Sequence, residues 1–158
     1  MCFQRMLTDD QRQKFNRFGC VARCLIKLAE RKRHPISDEK FCKRFGRLFL
    51  NPEQYGMLLI SQISQVIPHL KLGRHFQVYK RYPAVKYHFE QPRDILVLSE
   101  VHLDPANASV NDHCSVLTQI DDAEFKLWTP LIDGGFCEPR LPRDLWEAKA
   151  CTGLVLLQ

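Results

Sequence analysis

The sequence predicts an α+β fold in which helices come first and a mostly antiparallel sheet follows. Three observations carry that expectation. Apolar residues recur at helical spacing through the first part of the chain, and from residue 75 the period shortens to that of strands rich in β-branched and aromatic side chains. The strand-like runs follow one another without the helices that a doubly wound parallel sheet needs between them. At 158 residues and 45% apolar content the chain can bury one core but is short for two, and no Gly/Ser linker or internal repeat divides it. Residues 1–158 are therefore read as a single domain.

The first helix is expected to open after Gly19. Cys20, Val21, Cys24, Leu25 and Leu28 share one face, Arg23, Lys27, Arg31 and Lys32 form the polar face, and Pro35 sets a limit beyond the end. Ser37 reads as the N-cap of a second helix, with Lys40 where a capping-box glutamate would stand and Phe41, Phe45, Leu48 and Phe49 as its apolar stripe. Asn51 followed by Pro52 predicts a third helix, with Tyr55, Leu58, Leu59, Ile63 and Val66 facing inward until Pro68. Strands are expected over 75–82, 94–103, 113–121 and 124–130, the last two joined by a hairpin at "DDA". Residues 141–150 read as a short helix, and the apolar 152–158 as a central closing strand.

Composition narrows the chemistry. The N-terminal residues lack the apolar run of a signal peptide, and no window approaches the ~20 apolar residues of a membrane span, so a cytoplasmic protein without a membrane span is expected. Seven cysteines are an odd set in such a chain and read as reduced thiols, not a disulfide framework. Net charge is +5, with basic clusters at 30–34, 40–47 and 80–82. With no nucleic-acid motif beside them, these clusters read as solvated helix faces and turns. Cys20 and Cys24 lack the second close-set Cys or His pair that a structural zinc site uses, and no glycine loop cradles a phosphate. No metal and no cofactor is expected.

What remains is a cysteine at a helix mouth. Unpaired backbone N–H groups and the helix dipole favour a thiolate there, so Cys20, unlike Cys24 one turn inside, is placed to be activated. A base on a separate rigid element is required, and "NDHCSVLTQID" puts His113 at the start of a strand after a polar loop. An inert buried Cys20 and a surface His113 are the plainer reading of these two residues alone.

The segments "FGCVARCLIKLA", "QPRDILVLSEV", "HCSVLTQIDDAEFKLWTP" and "LPRDLWEAKACTGLVLL" stand in an order that resembles the papain-like cysteine peptidases. The resemblance is closest to the compact group that includes the leader-peptide peptidases of bacteriocin exporters, and it covers nearly the whole chain. It implies helices packed on a mostly antiparallel sheet, Cys20 as nucleophile, and His113 as the base that later protonates the leaving amine. It further implies that Gln13 lends its amide to the oxyanion hole with the Cys20 N–H, with Gln11 and Asn16 as competitors. Were "TDDQRQKF" helical with Thr8 as its cap, Gln13 would lie on the wrong face.

The chain departs from the family where an acid or amide normally precedes proline, for here Thr129 stands before Pro130. Threonine can accept a hydrogen bond and orient His113 but brings no charge, leaving Asp121 and Asp133 as other acids to reach the ring. The resemblance implies a cysteine peptidase or related amide hydrolase acting on a peptide or protein. The alternatives are an inactive domain that holds a peptide and a protein glutamine deamidase using the same pair.

Overall fold

The computed structural model describes residues 7–79, 95–99, 113–121, 123–142 and 151–158. Helices precede an antiparallel sheet, as the change of period requires, but α1 (Asp9–Phe18) stands ahead of the two expected helices α2 (Cys20–Arg31) and α3 (Asp38–Phe45), and 3₁₀ turns follow at Gly46–Leu48, Ile60–Gln65 and Ile67–Leu70. The strands are β1 (Phe76–Tyr79), β2 (Ile95–Ser99), β3 (His113–Ile120), β4 (Glu124–Pro130), β5 (Phe136–Cys137), β6 (Arg140–Pro142) and β7 (Cys151–Leu157). Their order is β1-β7-β2-β3-β4, with β5 and β6 both paired to β4. The closing strand β7 is central, lying between β1 and β2.

α1 forms because Thr8 caps it fully. The Thr8 hydroxyl accepts from the Gln11 backbone N–H, and the Gln11 side chain accepts from that of Thr8, both at 3.1 Å. Gly19 then ends α1 and begins α2 at once, its N–H donating to the Phe15 carbonyl at 2.9 Å. A Cβ at Gly19 would stand 2.4 Å from that same oxygen, so only glycine allows two helices to meet without a linker.

α2 is the central helix. Val21, Ala22, Cys24, Leu25, Leu28 and Ala29 are buried along it and pack against Cys114, Val116 and Trp128 of the sheet. Beyond Lys32 and its neighbours, Ser37 caps α3 by accepting from the Lys40 N–H at 3.2 Å. Phe41, Phe45 and Phe49 enter the core as their spacing predicts, with ring centroids 5.0 Å (Phe41–Phe45) and 6.1 Å (Phe41–Phe49) apart.

The third expected helix does not form. Asn51 does open a turn, its Oδ1 accepting from the N–H groups of Glu53 and Gln54. Tyr55 and Gly56 then take positive φ (51° and 99°), which ends any helical course, and the chain continues as short 3₁₀ turns. Leu58, Ile63 and Val66 are buried as expected, but Tyr55 and Leu59 point outward, 55% and 43% exposed.

The expected strands fall on β1 to β4 and β7, with β1 and β2 described over the first part of their ranges. Asp121 closes the hairpin, its carboxylate accepting from the N–H groups of Ala123 and Glu124 at 2.8 Å. The expected helix over 141–150 begins instead with strand β6, and its residues 143–150 lie outside the described residues. In β3, alternation sends Cys114 and Val116 toward α2, and His113 and Ser115 to the other face.

Substituting Gly19→Ala is expected to cost roughly 1–3 kcal/mol, because the new methyl group must displace the Phe15 carbonyl or pry α1 from α2. Urea denaturation of the two chains measures the difference.

Candidate functional site

A cleft of about 510 Å³ opens where the end of α1 meets the start of α2, bordered by residues 57–60, the ends of β2 and β3, and the segment after β4. Its lining is mainly apolar. Met57, Leu59 and Ile132 stand 47%, 43% and 37% exposed at its edges, an unusual concentration of solvent-facing apolar side chains beside one cavity.

One wall is held by two glutamines. Gln54 donates to the Met57 carbonyl at 2.9 Å and to the Gln62 side chain at 2.8 Å. Gln62 donates to the Leu48 carbonyl at 3.0 Å and accepts from the Leu59 N–H at 3.1 Å. The segment carrying Met57, Leu58 and Leu59 is thus fixed by side chains in place of a helix's own hydrogen bonds.

The facing wall is held by Arg23. Sequence spacing assigns Arg23 to the polar face of α2, yet it is 7% exposed. Its guanidinium donates to the carbonyls of Leu131, Gly134 and Gly135 at 2.5, 2.7 and 2.6 Å. Burial lowers its pKa from the usual arginine value, and the fields of Asp38, Cys24 and Asp133 oppose that. The turn is otherwise closed by Asp133, which accepts from the Gly135 N–H, and by Gly134 at φ 96° packed on the Asn16 carboxamide. The sequence signal that could have revealed Arg23 is slight: a charged residue between Ala22 and Cys24, and a distant "DGG" turn rich in carbonyls.

Cys20 is the first residue of α2 and lines the cleft together with His113, the first residue of β3. The expected lowering of the Cys20 pKa is overturned. Burial, followed by the neighbouring Cys114, pushes it up to about 12, while backbone N–H groups of Cys114, Val21 and Cys20 pull the other way and lose. Helix-end stabilisation is present, but desolvation is the larger effect. At neutral pH Cys20 is a thiol.

The other candidates are dispersed. Gln13 lies on the exposed face of α1 and does not reach the cleft, because Thr8 makes its segment helical. Gln11 is committed to the cap of that helix. Asn16, one turn on, does line the cleft. Thr129 is fully buried, but its hydroxyl is bound to that of Ser115 at 2.8 Å, so Ser115, and not His113, is the group it orients. Cys24 is buried and donates to the Cys114 carbonyl at 3.3 Å. Asp121 and Asp133 spend their carboxylates on their own turns.

Among the described residues no His, Cys, Asp and Glu side chains gather as a metal-ligand group, and no helix is long and apolar enough to cross a membrane. Comparison of the chain with protein-family models, with curated proteins and with solved structures finds no match.

The raised thiols set a pH dependence of stability. Cys20 and Cys42 hold pKa values of about 12 against 9.0 for the free side chain, so above pH 9 the unfolded chain loses protons that the folded chain keeps. Stability is full below pH 9 and falls as pH rises through 9 toward 12, by roughly 2 kcal/mol per such thiol at pH 10.5. Urea melts at pH 8.5 and 10.5 are expected to show a smaller fall for Cys42→Ala than for the natural chain, by about that amount.

Proposed function

We propose that this chain is a papain-like domain that takes an apolar peptide segment into the cleft and acts on it as a cysteine peptidase or related amide hydrolase. The observation that carries this reading is that Cys20 and His113, far apart in sequence and each opening its own element, line the same cleft. In the reaction the His113 imidazole, carried at the end of β3, turns past the strand end toward α2 and takes the Cys20 proton as the sulfur attacks the peptide carbonyl. The tetrahedral intermediate then collapses, the C–N bond breaks, and the amine leaves with that proton. Water releases the acyl group by the reverse path. In this reading the Cys20 N–H at the start of α2 and the Asn16 carboxamide, which lines the same cleft, donate to the oxyanion.

Because the resting thiol is neutral, proton transfer accompanies attack instead of preceding it. Turnover is therefore slow at neutral pH and increases into the alkaline range. The same neutral thiol, with the Thr129 hydroxyl engaged by Ser115, favours the second reading, a domain that holds a peptide without cleaving it. A glutamine deamidase would use the same pair on a side-chain amide.

Mass spectrometry of apolar peptide pools incubated with the chain at pH 7 to 10 separates these readings. The expected result is cleavage that increases with pH and drops at least about 100-fold in Cys20→Ala and His113→Ala. Equal peptide retention by the natural chain and Cys20→Ala, with products from neither, would establish the binding reading. Glutamine converted to glutamate without chain cleavage would establish the deamidase.

A further inference from the structure

The wall formed by Leu131 and Ile132 follows directly on β4, yet the turn that carries them has little structure of its own. Leu131 exchanges hydrogen bonds with Gly135 (2.9 Å) and Gly134 (3.1 Å), and Asp133 closes on Gly135 at 2.8 Å. The pairing of β4 with β5, Thr129 opposite Cys137 and Pro130 opposite Phe136, fixes the two ends of the turn. Its body is fastened to α2, where the buried Arg23 guanidinium takes the Leu131, Gly134 and Gly135 carbonyls at once. The Leu131 and Gly135 carbonyls also accept backbone N–H groups within the turn, and Arg23 adds a charged donor to all three oxygens. A planar fork with five N–H groups is suited to gather three carbonyls from one turn, which a single ammonium does less well.

Arg23 lies one turn inside α2 from Cys20 and is flanked by the buried Ala22 and Cys24. One helix therefore carries both the cleft thiol and the anchor of the wall opposite residues 57–60. We propose that Arg23 is a positioning residue: by holding the 131–135 turn on α2 it fixes the distance between Cys20 and the Leu131–Ile132 wall, and so decides how apolar groups are presented to the thiol. This rests on the cleft being the place where an apolar segment binds. Arg23 itself touches no ligand in this arrangement; it acts through Leu131 and Ile132.

The test uses the full chain and two alkylating probes, iodoacetamide and a chloroacetamide bearing an apolar phenylalkyl tail. Each is calibrated against free cysteine, and labelling of Cys20 is followed by peptide mapping at pH 9. In the natural chain the tail is expected to raise the relative rate at Cys20 about tenfold, by saturable binding in the cleft. Arg23→Met keeps the stem and removes the donors. It is expected to reduce that advantage to about onefold through weaker saturation, with the iodoacetamide rate little changed, while Arg23→Lys recovers part of it. A purely structural role would lower the urea midpoint without moving the ratio between probes.

A tail advantage that survives in folded Arg23→Met overturns the positioning role and leaves the cleft reading intact. Absence of any tail advantage in the natural chain overturns the cleft reading, and the positioning role with it. Should Arg23→Met not fold, Arg23→Lys decides: an advantage equal to that of the natural chain overturns the role, and a reduced one supports it.

Discussion

The buried guanidinium of Arg23 is the constraint on which the site depends. A charge removed from water is tolerated only if its N–H groups are satisfied, and here three carbonyls of one turn do so, with no carboxylate among the described residues in direct contact. The arrangement is reciprocal. Arginine could not stay buried between Ala22 and Cys24 without those oxygens, and its donors in return tie the turn between β4 and β5 to α2. Because α2 also packs on Cys114, Val116 and Trp128, one helix joins the turn to the sheet. The opposite wall has an analogous fastening in Gln54 and Gln62, so both sides of an otherwise apolar cleft are set by buried or half-buried polar side chains.

Burial also decides the state of the thiols. The N-terminus of α2 offers what should favour an anion: a glycine cap with no side-chain hydrogen bond, and backbone N–H groups near the sulfur of Cys20. Protein atoms that crowd that sulfur, with Cys114 beside it, outweigh these groups and keep the proton on. Burial raises the Cys24 thiol as well, and Cys24 donates to the Cys114 carbonyl, whereas Cys114 is pushed up first by its hydrogen bond with the Cys24 thiol and then by burial. A helix terminus activates cysteine only where water or a cation also reaches the sulfur. The chemistry proposed for Cys20 therefore draws on proton transfer during attack and not on a standing thiolate.

Local signals in the sequence were read correctly where local physics decides the outcome. Ser37 caps α3, the spacing of Phe41, Phe45 and Phe49 places all three in the core, and the β-branched runs pair as antiparallel strands with 124–130 as β4. The third expected helix failed because its apolar spacing is compatible with two courses. Positive φ at Tyr55 and Gly56, with the Gly56 N–H tied to the Phe49 carbonyl, selected the irregular one. Gln13 and Asn16 lie three residues apart on α1, one turn from each other, and only Asn16, nearer the helix end, reaches the cleft. Thr129 was assigned to His113 by its place before Pro130, but the strand register set it opposite Ser115 instead.

By itself the sequence determined the α+β class, the helices that follow Gly19 and Ser37, the Ser37 cap and strands β1 to β4 and β7, because each follows from spacing and hydrogen bonds within a few residues. It also placed Cys20 at the mouth of a helix and His113 at the opening of a strand, since both are local features. Only the tertiary structure decided that Arg23 is buried, that its donors hold a turn more than a hundred residues away, and that the Cys20 thiol keeps its proton. These depend on desolvation and on partners from distant segments, which no local pattern of residues encodes.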